Sequence, residues 1–333
     1  MEESRELGGH KGMHTLVTGG AGFIGSHLCE SLLQRGGTVT VIDNLCDYYD
    51  PRLKEMNLKA IKETGPGRFQ LVRGDIRNSS DLRRAFSSSD IDMVVHLAAM
   101  AGVRPSILQP IYYHEVNVLG TVNLLDMMEE FGVRKMVFAS SSSVYGDTSE
   151  APFREDARVD SPISPYAATK RAGELSCYTY HHLYGIDTAC LRFFTVYGPR
   201  QRPDLAIRHF ANCMMNSKVI QLYGDGSTRR DYTYVDDTIH GILRAIEWVE
   251  DGDSDRYDIF NLGESQTVSL KEMVDALAEA IGVDPKIEYK PMQPGDVKQT
   301  YADISKARRV LGYDPRVDFG EGIRRFAEWY TSL

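Results

Sequence analysis

The stretch Gly19-Gly20-Ala21-Gly22-Phe23-Ile24-Gly25 constrains this chain more than any other. It follows a short, β-rich apolar run, His14 to Thr18. A helical pattern through Leu28, Leu32 and Leu33 comes next. Thr38 to Ile42 then reads as a second strand, ending in Asp43. This is a β-α-β unit with glycines where the turn must be tight, where backbone must approach a pyrophosphate, and where helix must pack on strand. Phosphates would sit at the helix N-terminus, where free N–H groups and the dipole favour anions. Asp43 lies 18 residues after Gly25. A carboxylate there can hold the adenosine ribose hydroxyls and repels a 2′-phosphate, so the unit predicts NAD rather than NADP.

The alternation of strand and helix continues. Phe69 to Val72, Ile91 to Leu97, Val133 to Ala139 and Asp187 to Leu191 read as further strands. Helices lie between them, including one from about Ile111 to Phe131. Parallel strands joined by helices predict an α/β doubly wound sheet that binds ligands at its C-terminal strand ends. Those ends carry Asp75-Ile76, Leu97-Ala98-Ala99 and Ser140 to Ser143. Small residues at 98 and 99 suit a flat ligand, and equally suit plain helix–sheet packing. Four consecutive serines at a strand tip read as a cradle for substrate hydroxyls.

Ser164-Pro165-Tyr166-Ala167-Ala168-Thr169-Lys170 predicts a helix start, with Ser164 as N-cap and Pro165 in the first turn. Tyr166 and Lys170 then leave one face, one turn apart. A free tyrosine, with a pKa of ~10, is a poor base. A nearby ammonium favours the phenolate, and such a pair can move protons on a substrate hydroxyl. Alone, the seven residues also suit an ordinary amphipathic helix start.

After Pro199 the rhythm changes. A polar, proline-marked connection leads to short strands near Ile220–Tyr223, Ile259–Leu262 and Ile287–Tyr289, with helices near Ala206–Asn216, Leu270–Ile281 and Gly320–Tyr330. We expect a frayed tail at residues 1–12, a cofactor domain at 13–199 to which later segments return, and a smaller, discontinuous α/β substrate lobe at 200–333. Arginines at 200, 202, 229 and 230 concentrate cations in a chain of net charge −9. They suit a phosphate- or carboxylate-bearing substrate, whereas the acidic balance argues against nucleic acid. The five cysteines are scattered, without metal-ligand spacing, and read as reduced thiols of a cytoplasmic protein. The polar start lacks a signal core, no run approaches the ~20 apolar residues of a membrane helix, and no metal is expected.

The glycine loop, the serine run, Tyr166-x-x-x-Lys170 and the segment from Arg192 to Pro199 together make the chain resemble the extended short-chain dehydrogenase/reductases acting on nucleotide sugars. Its likeness is greatest to UDP-glucuronate 4-epimerases. The match runs from about residue 13 to 330 and includes the less common stretches Asp43 to Pro51 and Ala101 to Arg104. The resemblance implies a Rossmann-type fold, a tightly held NAD, a UDP-sugar substrate and a homodimer built on helices near 111–131 and 165–184. It implies Ser141, Tyr166 and Lys170 as catalytic residues. Cofactor contacts are implied at Gly19, Gly22, Phe23, Ile24, Gly25, Asp43, Asn44, Asp75, Ile76, Leu97, Ala98, Ala99, Tyr166 and Lys170. For the substrate it implies Arg104, Ser141, Ser142, Ser143, Tyr166, Thr195, Arg202, Tyr223, Arg230, Gln293 and Asp296. Galactose-type epimerases carry an arginine where Gln293 stands. Relatives that decarboxylate or dehydrate carry a glutamate at the position of Ser143, so the serine favours epimerisation without bond loss. Arg202 matches the family residue that grips a substrate carboxylate. A 4-epimerase of a neutral UDP-hexose, a dehydratase or decarboxylase, and a non-catalytic nucleotide sensor remain the competing readings.

Overall fold

The computed structural model describes residues 12–147, 151–251, 255–292 and 297–333. The expected tail, up to residue 11, therefore lies outside the described residues. In chain order the strands are β1 (His14–Thr18), β2 (Thr38–Asp43), β3 (Phe69–Arg73), β4 (Met93–His96), β5 (Lys135–Ser141), β6 (Asp187–Phe193), β7 (Thr195–Tyr197), β8 (Val219–Tyr223), β9 (Arg229–Arg230), β10 (Tyr232–Tyr234), β11 (Tyr257–Leu262), β12 (Val268–Ser269) and β13 (Lys286–Lys290). The helices are α1 (Phe23–Gln34), α2 (Pro51–Thr64), α3 (Ser79–Ser87), α4 (Val103–Leu108), α5 (Pro110–His114), α6 (Gly120–Glu130), α7 (Pro165–Tyr184), α8 (Ala206–Met215), α9 (Val235–Glu250), α10 (Leu270–Ile281), α11 (Ser305–Leu311) and α12 (Phe319–Thr331).

Seven strands form one sheet in the order β11-β6-β5-β4-β1-β2-β3, with every neighbouring pair parallel. This is the doubly wound architecture that the α/β alternation predicts. The connections reverse direction between β1 and β4, and a ligand crevice opens outside the strand ends there. Buried strands such as Met93–His96, buried at every position, show why an unbroken apolar run marks a parallel strand. Beyond β6, the chain also forms three two-stranded sheets, β7/β10, β9/β12 and β8/β13.

Several boundaries move. Strand β5 runs on through Ser140 and Ser141, so these serines belong to the strand itself, and a 3₁₀ turn takes Ser142–Tyr145. The expected helix over 111–131 is broken into α5, a π-helical turn at Glu115–Leu119, and α6. Helix α7 matches its prediction. Ser164 accepts a hydrogen bond from the Ala167 amide at 3.1 Å, and Gly185 ends the helix in the left-handed region at φ 65°.

The close approach of α1 to β1 requires glycine. A Cβ at Gly25 would lie 2.4 Å from the Gly19 carbonyl oxygen and 2.8 Å from Gly20 Cα. Both are backbone atoms that cannot swing aside. Gly25→Ala is therefore expected to lower stability by ~1–3 kcal/mol, read as an earlier midpoint in a urea titration.

Candidate active site

The crevice at the switch point is a cleft of about 490 Å³. It is lined along one side by Gly19, Gly22, Phe23, Ile24, Gly25, Asp43, Asn44, Asp75 and Ile76. Leu97, Ala98, Ala99, Ser141, Ser142, Ser143, Tyr166, Lys170, Thr195 and Arg202 complete it. An adjoining cleft of about 720 Å³ holds Arg104, Thr195, Tyr223 and Arg230. Residues separated by most of the chain thus meet in two connected hollows. Gln293 and Asp296 lie outside the described residues.

The glycine loop is built for close approach. Helix α1 begins at Phe23 with Gly22 as N-cap and no side chain capping it, so its first amides are free for an anion. A Cβ at Gly19, where φ is +70°, would sit 2.8 Å from the Ala98 backbone. Asp43 is buried at the tip of β2, and its two oxygens accept the amides of Ala21 at 3.1 Å and Leu45 at 2.9 Å. Burial raises its pKa, against the pull of those amides and of Lys54. A dinucleotide fits this donor set: free helix amides for phosphate, a cradle a Cβ would fill, and a carboxylate with lone pairs left for hydroxyls.

Tyr166 and Lys170 face the tip of β5. Burial raises the Tyr166 pKa. A hydrogen bond from Ser141 and the positive charge of Arg202 oppose that rise. The sequence suggested Lys170 as the cation holding the tyrosine down. Its Nζ donates to the Ala139 carbonyl at 2.8 Å, and the charge of Arg202 also bears on Tyr166. The Lys170 ammonium is pushed down to about 8 by burial, with Cys177 and Glu174 opposing.

A hydrogen-bonded layer behind the cleft escaped the sequence reading. Asn117, in the π-helical turn, accepts the Met100 amide at 2.8 Å and donates to the Met100 carbonyl at 2.9 Å and Thr169 Oγ1 at 3.0 Å. Thr169 in turn donates to the Tyr166 carbonyl at 2.8 Å. This ties the loop after β4 to α7. π-turns often mark functional sites, but a single sequence gives no local sign of one. Tyr48, Tyr49 and Tyr112 also line the cleft. The aromatic pair in the Asp43 to Pro51 stretch was the available signal.

The four grouped arginines separate. Arg200 pairs with Glu30 at 2.9 Å, and Arg229 with Thr267 and Glu272. Only Arg202 and Arg230 of the four line the two clefts. Arg202 makes a bidentate pair with Asp204, at 3.0 Å from Nε and 2.7 Å from Nη2. One edge of the guanidinium is therefore taken, and the Nη1 side is the edge left to a ligand. The Arg104 guanidinium lies 4.7 Å from the centre of the Tyr223 ring, joining the two lobes.

Because burial depresses the Lys170 pKa, its contribution to stability is present at high pH and lost as pH falls through about 8. Between pH 8 and 10 the unfolded chain keeps a proton that the folded state has shed. Over that window wild-type stability should gain on Lys170→Met by roughly 1.4 kcal/mol per pH unit, measured by paired denaturant titrations.

Comparison with known proteins agrees with this geometry. Residues 16–326 match the family described as GDP-mannose 4,6 dehydratase. The UDP-glucuronate 4-epimerase of Thermodesulfobacterium geofontis is 44% identical over 315 residues, covering 94% of this chain and 95% of that protein. The crystal structure of the Bacillus cereus UDP-glucuronic acid 4-epimerase, in complex with UDP-glucuronic acid and NAD, superposes with a TM-score of 0.88 at 38% identity, covering 96% of this chain and 99% of that one. A Thermus thermophilus UDP-glucose 4-epimerase in complex with NAD is 35% identical with a TM-score of 0.85, covering 96% and 99%. The chain belongs to the GDP-mannose 4,6 dehydratase family, within the short-chain dehydrogenase/reductase-type nucleotide-sugar epimerases.

Proposed function

We propose that this protein is an NAD-dependent UDP-glucuronate 4-epimerase, interconverting UDP-glucuronate and UDP-galacturonate through a transient 4-keto sugar. The observation that carries this reading is the convergence of Tyr166, Ser141 and Arg202 in the cleft formed by the glycine loop. The Thermodesulfobacterium and Bacillus relatives bearing this activity support it. When bound, NAD supplies a reversible hydride acceptor for sugar C4 and ends the cycle unchanged.

In this reading Tyr166 takes the proton of the sugar 4-hydroxyl, and the Ser141 hydroxyl shares the path. Tyr166 must work against its burial, so the hydrogen bond from Ser141 and the charge of Arg202 matter to its basicity. Lys170, anchored on the Ala139 carbonyl, would hold its ammonium toward the cofactor ribose. Asp43 would hold the adenosine ribose hydroxyls, and the free α1 amides the pyrophosphate. Arg230, Tyr223 and Arg104 serve the UDP moiety from the adjoining cleft.

A 4-keto glucuronate is a β-keto acid and loses CO₂ when the breaking bond aligns with the ketone π system. The Nη1 side of Arg202 grips the carboxylate and holds it in the sugar plane, which opposes that alignment. Ser143, whose amide donates to Ser141 Oγ at 3.2 Å, brings a hydroxyl where bond-breaking relatives carry a carboxylate.

Proton NMR of UDP-glucuronate with the pure protein and no added NAD tests the reading. UDP-galacturonate signals should appear, and Tyr166→Phe should lower kcat by about a thousandfold while NAD stays bound. Formation of UDP-xylose instead would assign decarboxylation. Turnover of UDP-glucose alone would assign a neutral-sugar epimerase, which the pairing of Arg202 with Asp204 would then explain.

We also infer a homodimer. Leu108, Ile111 and Leu119 before α6, and Leu175 and Leu183 on α7, are exposed on neighbouring elements. Large apolar side chains grouped in this way mark an association surface. Leu175→Glu should convert a dimer to a monomer in light-scattering chromatography, and a monomeric wild type would reject the inference. A reducing, cytoplasmic setting accords with the free cysteines.

A further inference from the structure

Residues 44–50 connect β2 to α2 and belong to no strand or helix. The segment turns at once after Asp43: Leu45 takes a left-handed conformation at φ 50°, and the Cys46 amide bonds the Asn44 side chain at 3.0 Å. From below, Lys54 of α2 donates to the Cys46 carbonyl at 2.8 Å and lies 4.8 Å from the centre of the Tyr49 ring. Tyr48 then reaches away from β2. Its hydroxyl donates to the carbonyl of Ala101 at 3.2 Å, in the segment following β4. Its ring lies under the Arg202 guanidinium, 5.4 Å from the ring centre.

The sheet order gives this reach its meaning. β1 lies between β4 and β2, so a strap leaving β2 and fastened after β4 must span the end of β1. That is where the glycine loop sits. The strap lines the same cleft as the loop, through Asn44, Cys46, Tyr48 and Tyr49. Its far end is fastened to both lobes, to Ala101 in one and to Arg202 in the other.

We propose that Tyr48 is the clasp of this strap, and that its contacts with Ala101 and Arg202 set how slowly a bound dinucleotide leaves. The proposal rests on the reading of the cleft as an NAD site. An epimerase returns its hydride to the same sugar and gains nothing from cofactor exchange, so a fastened strap suits the chemistry. A cation–aromatic contact out of bulk water contributes on the scale of a tenfold rate change. Asp204 holds the Arg202 guanidinium by its edge, so the arginine is already fixed in place over the Tyr48 ring.

The test is exchange of bound NAD for deuterated NAD, followed by mass spectrometry with no UDP-sugar present. Tyr48→Ala should exchange about tenfold faster than wild type. Tyr48→Phe, which keeps the ring, should change the rate only a few-fold. Arg202→Met should also speed exchange, and Tyr48→Ala combined with it should be no faster than the faster single variant, because both break one contact. If Tyr48→Ala does not fold, Tyr48→Leu carries the same arm. Wild-type exchange rates in the Tyr48 variants, or effects of Tyr48 and Arg202 that multiply in full, would overturn the clasp. Protein purified without any nucleotide and unable to bind NAD would instead overturn the cofactor reading. Faster exchange in Tyr48→Ala of an enzyme inactive on UDP-glucuronate would support the clasp while rejecting the UDP-glucuronate assignment.

Discussion

The site depends on a carboxylate that never meets the ligand. Glu174, fully buried on α7, accepts Ser140 Oγ at 2.6 Å and Arg192 Nε at 2.8 Å on one oxygen. Its other oxygen accepts Arg192 Nη2 at 3.0 Å and Arg171 Nη1 at 2.9 Å. Arg192 is buried as well and lies over the Tyr145 ring. Two charges removed from water are costly unless geometry and hydrogen bonds offset the loss; here both Glu174 oxygens accept two bonds each, while Arg192 Nη1 is buried without a partner. The result locks α7, β5 and β6 in one register. Glu174 lies one helical turn beyond Lys170, and Ser140 immediately precedes Ser141. The same lock that holds helix to sheet therefore fixes the distance between Tyr166 and Ser141.

Local chemistry made much of this fold legible. The glycine loop, the Ser164–Pro165 helix start and the apolar strands each carry their reason within a few residues. What escaped was the product of long-range closure. Later segments are expected to return to the sheet, but nothing near Tyr257 says that β11 is one of them or that its partner is β6. The π-helical turn at Glu115–Leu119 lies within an otherwise helical pattern, and its Asn117 finds its partners 17 and 52 residues away. Site residues on strand tips could be anticipated because topology brings all the tips to one edge. Orientation could not. Lys170 pointing at Ala139, and Arg202 sharing its edge with Asp204, are choices made by the packed neighbourhood.

Those choices alter the electrostatic account of Tyr166. Spacing on a helix suggests a lysine one turn away as the cation that makes a tyrosine basic. The buried Lys170 is itself strained towards neutrality, with a pKa near 8, because burial disfavours its charge just as it disfavours a phenolate. A weakly held charge of this kind responds to what is placed beside it. An arginine does not, since its proton is retained in any protein environment. Arg202 is thus the dependable positive charge facing Tyr166.

Placing that charge on Arg202 has a consequence for selectivity. The same guanidinium meets Asp204 on one edge, lies over the Tyr48 ring, and lowers the Tyr166 pKa against its burial. A sugar carboxylate arriving at its open side would weaken the field at the tyrosine oxygen while fixing the sugar ring. A neutral sugar would leave the field intact but the ring loosely held. Rate and orientation therefore pull in opposite directions at one residue. An acidic sugar is favoured where the gain from orientation exceeds the lost field, and a misaligned reactant costs orders of magnitude in rate. The loop after β7 places one cation where both effects meet, so substrate choice here is a property of that cation's partners as much as of the cation itself.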